Sequence, residues 1–218
     1  MPESFSEQLK DEASDIWDRI FHHPFLQEAR EGRLPIEKFR YYVIQDYHYL
    51  ERFARTVAIA LGKASDTRTV EALGKRVLTP IERPLHHRLL EMVGVSPEEA
   101  SEAGPSPTNL AYTNHMLSTA FSHGLGPTAA ALLPCPWTYD HLGQVLGEID
   151  HPVYGEWADF YHQGMLKDSV AAWRGFVDES AEVASPQELE LMRSAFLTSS
   201  RYELMFWDMA YRQEQWPT

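Results

Sequence analysis

One cysteine occurs in this 218-residue chain, and it lies between two prolines, Pro134-Cys135-Pro136, within "ALLPCPWTYD". Proline biases the residue before it away from helical backbone angles, so Cys135 is expected to be extended. Pro136 suits the first turn of a helix, where its missing N–H costs nothing. The pair therefore predicts Cys135 at or beside the N-cap of a helix that begins at Pro136. A helix start offers free N–H groups and a partial positive charge, and both favour thiolate over thiol. Spacing leaves two readings open: an activated nucleophile, or an inert buried thiol of the kind most lone cysteines are. No neighbouring histidine marks a Cys–His arrangement, since His141 lies more than a turn away.

Two carboxylates interrupt apolar stripes. Asp46 falls among Phe39, Val43, Leu50, Phe53 and Val57, and Glu203 among Phe196, Ser200, Trp207 and Ala210. Steps of three and four residues put each set on one helix face. Burying an unpaired carboxylate is costly, so each should meet a donor from the bundle or from a ligand. A desolvated carboxyl also resists ionisation, which suits a proton donor near neutral pH. Around Asp46 the chain reads "RYYVIQDYHYLERF", which sets Tyr42 and Tyr49 beside the acid; Tyr112, Tyr139 and Tyr161 add phenols elsewhere. Tyrosines at helical spacing are ordinary amphipathic core. Taken with two acids and a thiol, they could instead line a pocket for a flat heteroaromatic ring.

Helices must position these groups. Asn-Gly and Asp-Gly turns are missing, and no period-two alternation is sustained. Helical periodicity predicts one segment over Phe5–Ile20 and a short one over Phe25–Ala29. The clearest runs from Ile36 to Leu61. A region over Thr67–Val93 must bend at Pro80 and Pro84. "GVSPEEASEAGPSPT" reads as an exposed, proline-rich connection. Further segments follow over Asn109–His123, the wholly apolar "TAAALL", Pro136–Ile149, a stretch opened by "DHPVY", one reaching Ala184, and a last one from Gln187. The expected architecture is an all-α bundle of eight to eleven helices, one domain over residues 1–218.

Composition narrows the function. Nineteen Lys and Arg against 32 Asp and Glu give a net charge of −13, so a nucleic acid or an anionic membrane is not an expected partner. A lone cysteine makes no internal disulfide. The N-terminal stretch is polar and acidic rather than signal-like, and no apolar run reaches the roughly 20 residues of a membrane span. A cytoplasmic location is expected.

The motifs resemble those of the TenA family, also called thiaminase II. "HPF" (23–25), "QDYHYL" (45–50), "LLPCPWTY" (132–139), "HPVYGEW" (151–157) and "YELMFWDMAY" (202–211) carry the resemblance from about residue 5 to 212. It implies a haem oxygenase-like fold, no cofactor, no metal, and a homotetramer. It also implies a thiamin-salvage hydrolase of the family's cysteine-bearing branch. Such an enzyme converts 4-amino-5-aminomethyl-2-methylpyrimidine to hydroxymethylpyrimidine and ammonia, and cleaves thiamin to its pyrimidine and thiazole halves. By the same resemblance Cys135 is the nucleophile and Glu203 the proton-shuttling acid. Asp46 holds the aminopyrimidine edge, Tyr139 binds substrate, Tyr49 tunes the thiol, and Tyr112 and Tyr161 line the pocket. Two alternatives stand beside it. Glu82 with His86 at i, i+4 resembles half of a di-iron site, as in metal-dependent oxidases of the same fold, although the paired histidines at 22–23 and 86–87 read more simply as surface or helix-end residues. A non-catalytic binder of thiamin-related ligands is the other.

Overall fold

The computed structural model describes residues 3–78 and 80–217, and among them thirteen α-helices form without a strand. The expected first segment is two helices, α1 (Phe5–Glu12) and α2 (Ser14–Phe21), followed by α3 (Pro24–Arg30). The break falls at buried Ala13, which turns the chain so that Leu9, Trp17 and Ile20 all reach the core. Next comes α4 (Ile36–Leu61), with the boundaries its apolar stripe predicts. The bend around Pro80 separates α5 (Thr67–Leu78) from α6 (Arg83–Met92).

The stretch expected to be an exposed connection contains a helix, α7 (Pro97–Ala103). Ser96 accepts from the Glu99 N–H and the Glu99 side chain accepts from the Ser96 N–H, a reciprocal capping box. Two orphan donors are satisfied in this way, so proline-rich polar composition does not prevent the turn from closing. Beyond it, α8 (Pro107–Ser122) starts where the Glu214 carboxylate folds back to accept from Thr108 N and Oγ1 at 2.9 and 3.0 Å.

The wholly apolar stretch forms α9 (Leu125–Leu132), buried from Gly126 onward, and α10 (Pro134–Leu146) follows it almost without interruption. Leu133 between them keeps helical angles, φ −61° and ψ −37°. The chain then continues through α11 (Pro152–His162), α12 (Lys167–Val183) and α13 (Pro186–Arg212). The core centres on α13, which packs on α9, α8, α4 and α10. Where α10 crosses α11, Gly143 lies so near the Tyr161 backbone that a methyl group would overlap the Tyr161 carbonyl. His162 Nδ1 also bonds the Gly143 carbonyl at 3.0 Å. No helix among the described residues is long and apolar enough to cross a membrane.

Candidate active site

Cys135 is helical. It sits in the first turn of α10, one residue after Pro134, contrary to the extended N-cap expected from Pro136. Both prolines occupy first-turn positions whose N–H groups would be unsatisfied anyway, so helical continuity with α9 outweighs the pre-proline bias. The carbonyl of Ala131 accepts from Ser199 Oγ on α13 at 2.7 Å.

This continuity removes the reason to expect a resting thiolate. The carbonyl end of α9 abuts the start of α10, so the two dipoles meet head to tail and leave little positive pole at the sulfur. Burial pushes the Cys135 thiol well up, and the carboxyls of Glu203, Glu82 and Asp46 push it further; only a hydrogen bond with Tyr49 pulls the other way. Cys135 is 7% exposed and stays a thiol at neutral pH.

Glu203 enters the site from α13. It is 3% exposed and accepts from Tyr112 Oη at 2.6 Å. Burial raises its carboxyl to about 7, while hydrogen bonds from Tyr112 and Thr138 hold it back from rising further. Thr138 lies one turn after Cys135 and also donates to the Cys135 carbonyl at 3.1 Å. Its hydroxyl thus lies between the Cys135 carbonyl and the Glu203 carboxyl.

Asp46 enters from α4 with a different environment. Its carboxyl is raised well above the usual range by burial, then by Glu82 and Glu203, and no hydrogen bond reaches it among the described residues. The nearest polar group is His86 Nε2, 3.5 Å from Oδ2. Burial lowers that imidazole to about 4, so it is neutral and the contact is not an ion pair. His86 is therefore a buried member of the site, not the surface histidine expected, and its Nε2 has no partner.

The tyrosines fall into two groups. Tyr49 and Tyr112 pack ring to ring at 5.3 Å, with Phe206 at 5.7 Å from Tyr49. Opposite the other acids, Tyr139 packs on Tyr161 at 5.1 Å and on Trp207 at 5.6 Å, and its hydroxyl bonds that of Tyr42 at 3.0 Å. All seven residues expected from the sequence, Cys135, Glu203, Asp46, Tyr139, Tyr49, Tyr112 and Tyr161, are buried helix residues, and they converge on one site. Their aromatic faces and acceptor oxygens suit a flat ring with amino and ring N–H edges.

Besides His86, three further residues belong to the site: Tyr42, Thr138 and Glu82. Tyr42 had a signal, since it lies one turn before Asp46. Glu82, in the turn between α5 and α6, accepts from Tyr161 Oη at 3.0 Å, and burial raises its carboxyl to about 7. It also lines a cleft of about 350 Å³ between α4, α5, α6 and α12, walled by Tyr47, Phe53, Leu166 and Trp173. That cleft stops at Glu82 and His86; Asp46 and Tyr161 lie behind them. Among the described residues no group of three or more His, Cys, Asp and Glu is arranged to hold a metal ion. Glu82 and His86 instead face Tyr161 and Asp46.

Fold and site together define an all-helical protein with a thiol and carboxyls enclosed by aromatic rings. A domain of unknown function with a haem oxygenase-like fold from Shewanella denitrificans shares the architecture: TM-score 0.74 at 13% identity, covering 95% of this chain and 92% of that one. The chain belongs to the TENA/THI-4/PQQC family, whose model matches residues 10–213. Aminopyrimidine aminohydrolase of Halalkalibacterium halodurans is 37% identical, covering 98% of both chains. The Bacillus subtilis protein of the same name is 36% identical, covering 97% of this chain and 92% of that one. A thiamine biosynthesis multifunctional protein of Corynebacterium efficiens is 28% identical over 96% of this chain, which spans 28% of that longer protein. Among solved structures, a TenA homologue from P. horikoshii OT3 superposes with a TM-score of 0.87 at 30% identity, covering 96% of this chain and 99% of that one.

Proposed function

We propose that this chain is a thiamin-salvage hydrolase that releases ammonia from 4-amino-5-aminomethyl-2-methylpyrimidine through a covalent adduct at Cys135. The hydrolase class rests on full-length relatives named aminopyrimidine aminohydrolase. The observation that carries the covalent step is a single site shared by Cys135 and an acid, Glu203, that titrates near neutral pH.

Displacing an amine from the exocyclic CH₂ of an aromatic ring is slow because the ring's electrons resist it. Addition of sulfur to a ring carbon breaks aromaticity and frees an electron pair to push the leaving group out. The resting thiol must first lose its proton, and the Glu203 carboxylate is the base in reach. Once protonated, Glu203 gives that proton to the departing amine. Water then adds to the exposed methylene carbon, Glu203 takes its proton, and the S–C bond breaks as aromaticity returns. The proton passes from Glu203 back to sulfur.

Asp46 has acceptor oxygens with no partner, suited to the amino and ring N–H edge of an aminopyrimidine. Tyr139 orients the ring, anchored by Tyr42; Tyr49 bonds the thiol, and Tyr112 and Tyr161 complete the walls. Thiamin, which carries the same pyrimidine on a larger leaving group, is the second substrate in this reading. A cytoplasmic homotetramer completes it, and sedimentation tests the assembly. Assaying ammonia and hydroxymethylpyrimidine with wild type and Cys135→Ser is decisive. Turnover should vanish in the variant while ligand binding survives; an active Cys135→Ser would overturn the covalent mechanism, and an inactive wild type that still binds would leave a binder.

A further inference from the structure

Glu82 has no part in the steps above, yet it joins the cleft to the buried site. Asp46, Glu203 and Cys135 do not line the cleft; Glu82 does, and Tyr161 Oη lies 3.0 Å behind it. We propose that Glu82 and Tyr161 form a proton relay that carries protons between water in the cleft and a ring nitrogen of the bound substrate. The proposal rests on the hydrolase reading and extends it.

The chemistry requires such a group. When the Cys135 sulfur bonds to the ring carbon, a C=N electron pair moves onto nitrogen, which must take a proton, and the lone pair of the 4-amino group then expels the protonated amine through the ring C4–C5 bond. Glu203 is already committed to the thiol proton and the leaving amine. In the relay the Tyr161 hydroxyl proton goes to the ring nitrogen, the Glu82 carboxyl proton goes to the phenolic oxygen, and cleft water restores the Glu82 proton. When the S–C bond breaks, each transfer reverses, so the relay is neutral over a turnover. Tyr161 alone is a poor acid, because burial and then Glu82 hold its hydroxyl well above the usual phenol range. A protonated Glu82 turns that penalty into a hydrogen bond donated to the phenolic oxygen. Glu82 titrates at about 7, so it exchanges its proton near neutral pH.

The titratable groups around Glu82 are Asp46 and Tyr42 of α4, Cys135 of α10, Tyr161 of α11 and Glu203 of α13. Neutral His86 stands on its own helix side, and Glu51, Arg76, Arg83 and His87 line the cleft in front. The carboxyls that face it share a sign with it, so removing its charge lowers the pKa of Glu203.

Ammonia release by wild type, Glu82→Gln, Glu82→Asp, Tyr161→Phe and the Glu82→Gln/Tyr161→Phe double variant tests this across pH 5.5–9. Glu82→Gln is expected to lower kcat by about 10²-fold with KM within about threefold, as for loss of a proton-transfer group. Glu82→Asp should recover part of the rate. The double variant should be no slower than the slower single variant, and the acid limb of Glu82→Gln, set by Glu203 as the ionised base, should move to lower pH. Thermal melts identify any variant that fails to fold, and Tyr161→Phe then carries the test alone. Wild-type kcat and pH profile in Glu82→Gln, or additive losses in the double variant, overturn the relay while wild type still turns over. A wild type without ammonia release overturns both the relay and the hydrolase reading.

Discussion

Asp46 and Glu203 are the same kind of group in nearly the same setting, a buried carboxyl within one of the two longest helices with aromatic residues in its neighbourhood. Their partners differ. Glu203 takes a short bond from Tyr112 and a second from Thr138, whereas Asp46 makes no side-chain hydrogen bond and has a neutral histidine 3.5 Å away. An acid whose neighbours satisfy it in either protonation state is ready to trade protons. One left without donors is ready to bind something that brings them. In the proposed mechanism the contrast assigns chemistry to α13 and recognition to α4.

The largest expected effect tests the α13 side. Glu203→Gln should lower kcat by about 10²–10⁴-fold, with little change in ligand affinity measured by calorimetry. Asp46→Asn should do the reverse, weakening pyrimidine binding by about 10–100-fold, the worth of hydrogen bonds to a charged group. If both variants lose kcat alone, the division fails. Tyr112→Phe is a smaller perturbation. It removes a bond that favours the ionised form, so the Glu203 carboxyl rises and the acid limb of the rate profile moves to higher pH.

Stability should show the same asymmetry in the ligand-free protein, with the smallest effects. At pH 8 Asp46 is a buried acceptor group without donors, and Asp46→Asn should raise Tm by about 2–4 °C, equivalent to roughly 1 kcal/mol. Glu203 is raised from its ordinary 4.5 to about 7 in the folded chain. The folded state therefore holds a proton that the unfolded chain releases, and stability falls as pH rises from about 4.5 through 7. Wild type should melt higher at pH 5.5 than at pH 8, and Glu203→Gln should flatten that slope.

Much of this was readable before any coordinates. The stripe that defines α4 is long and uniform, so its ends and its single acid stand out, and α13 is similar. Glu82 was visible only as a companion of His86, because "PIERP" is a turn and carries no period to interrupt. The capping signal Ser96…Glu99 was present in the sequence but lay inside a composition typical of loops. Cys135 was misjudged twice for one reason. Local rules describe a proline-flanked residue in isolation, and they omit the preceding helix, which continues the backbone and cancels the dipole. The deep burial that raises the thiol is a tertiary property.

Gly143 fixes a dimension that no lining residue controls. Cys135 and Tyr161 sit on helices that meet main chain to main chain, with clearance for a hydrogen atom but not a methyl group. Side chains can swing to accept a bulkier guest; a backbone gauge cannot. Moving Cys135 and Tyr161 apart therefore means parting two helices, so the spacing of the main chains that carry them is set by backbone contact and not by side-chain packing.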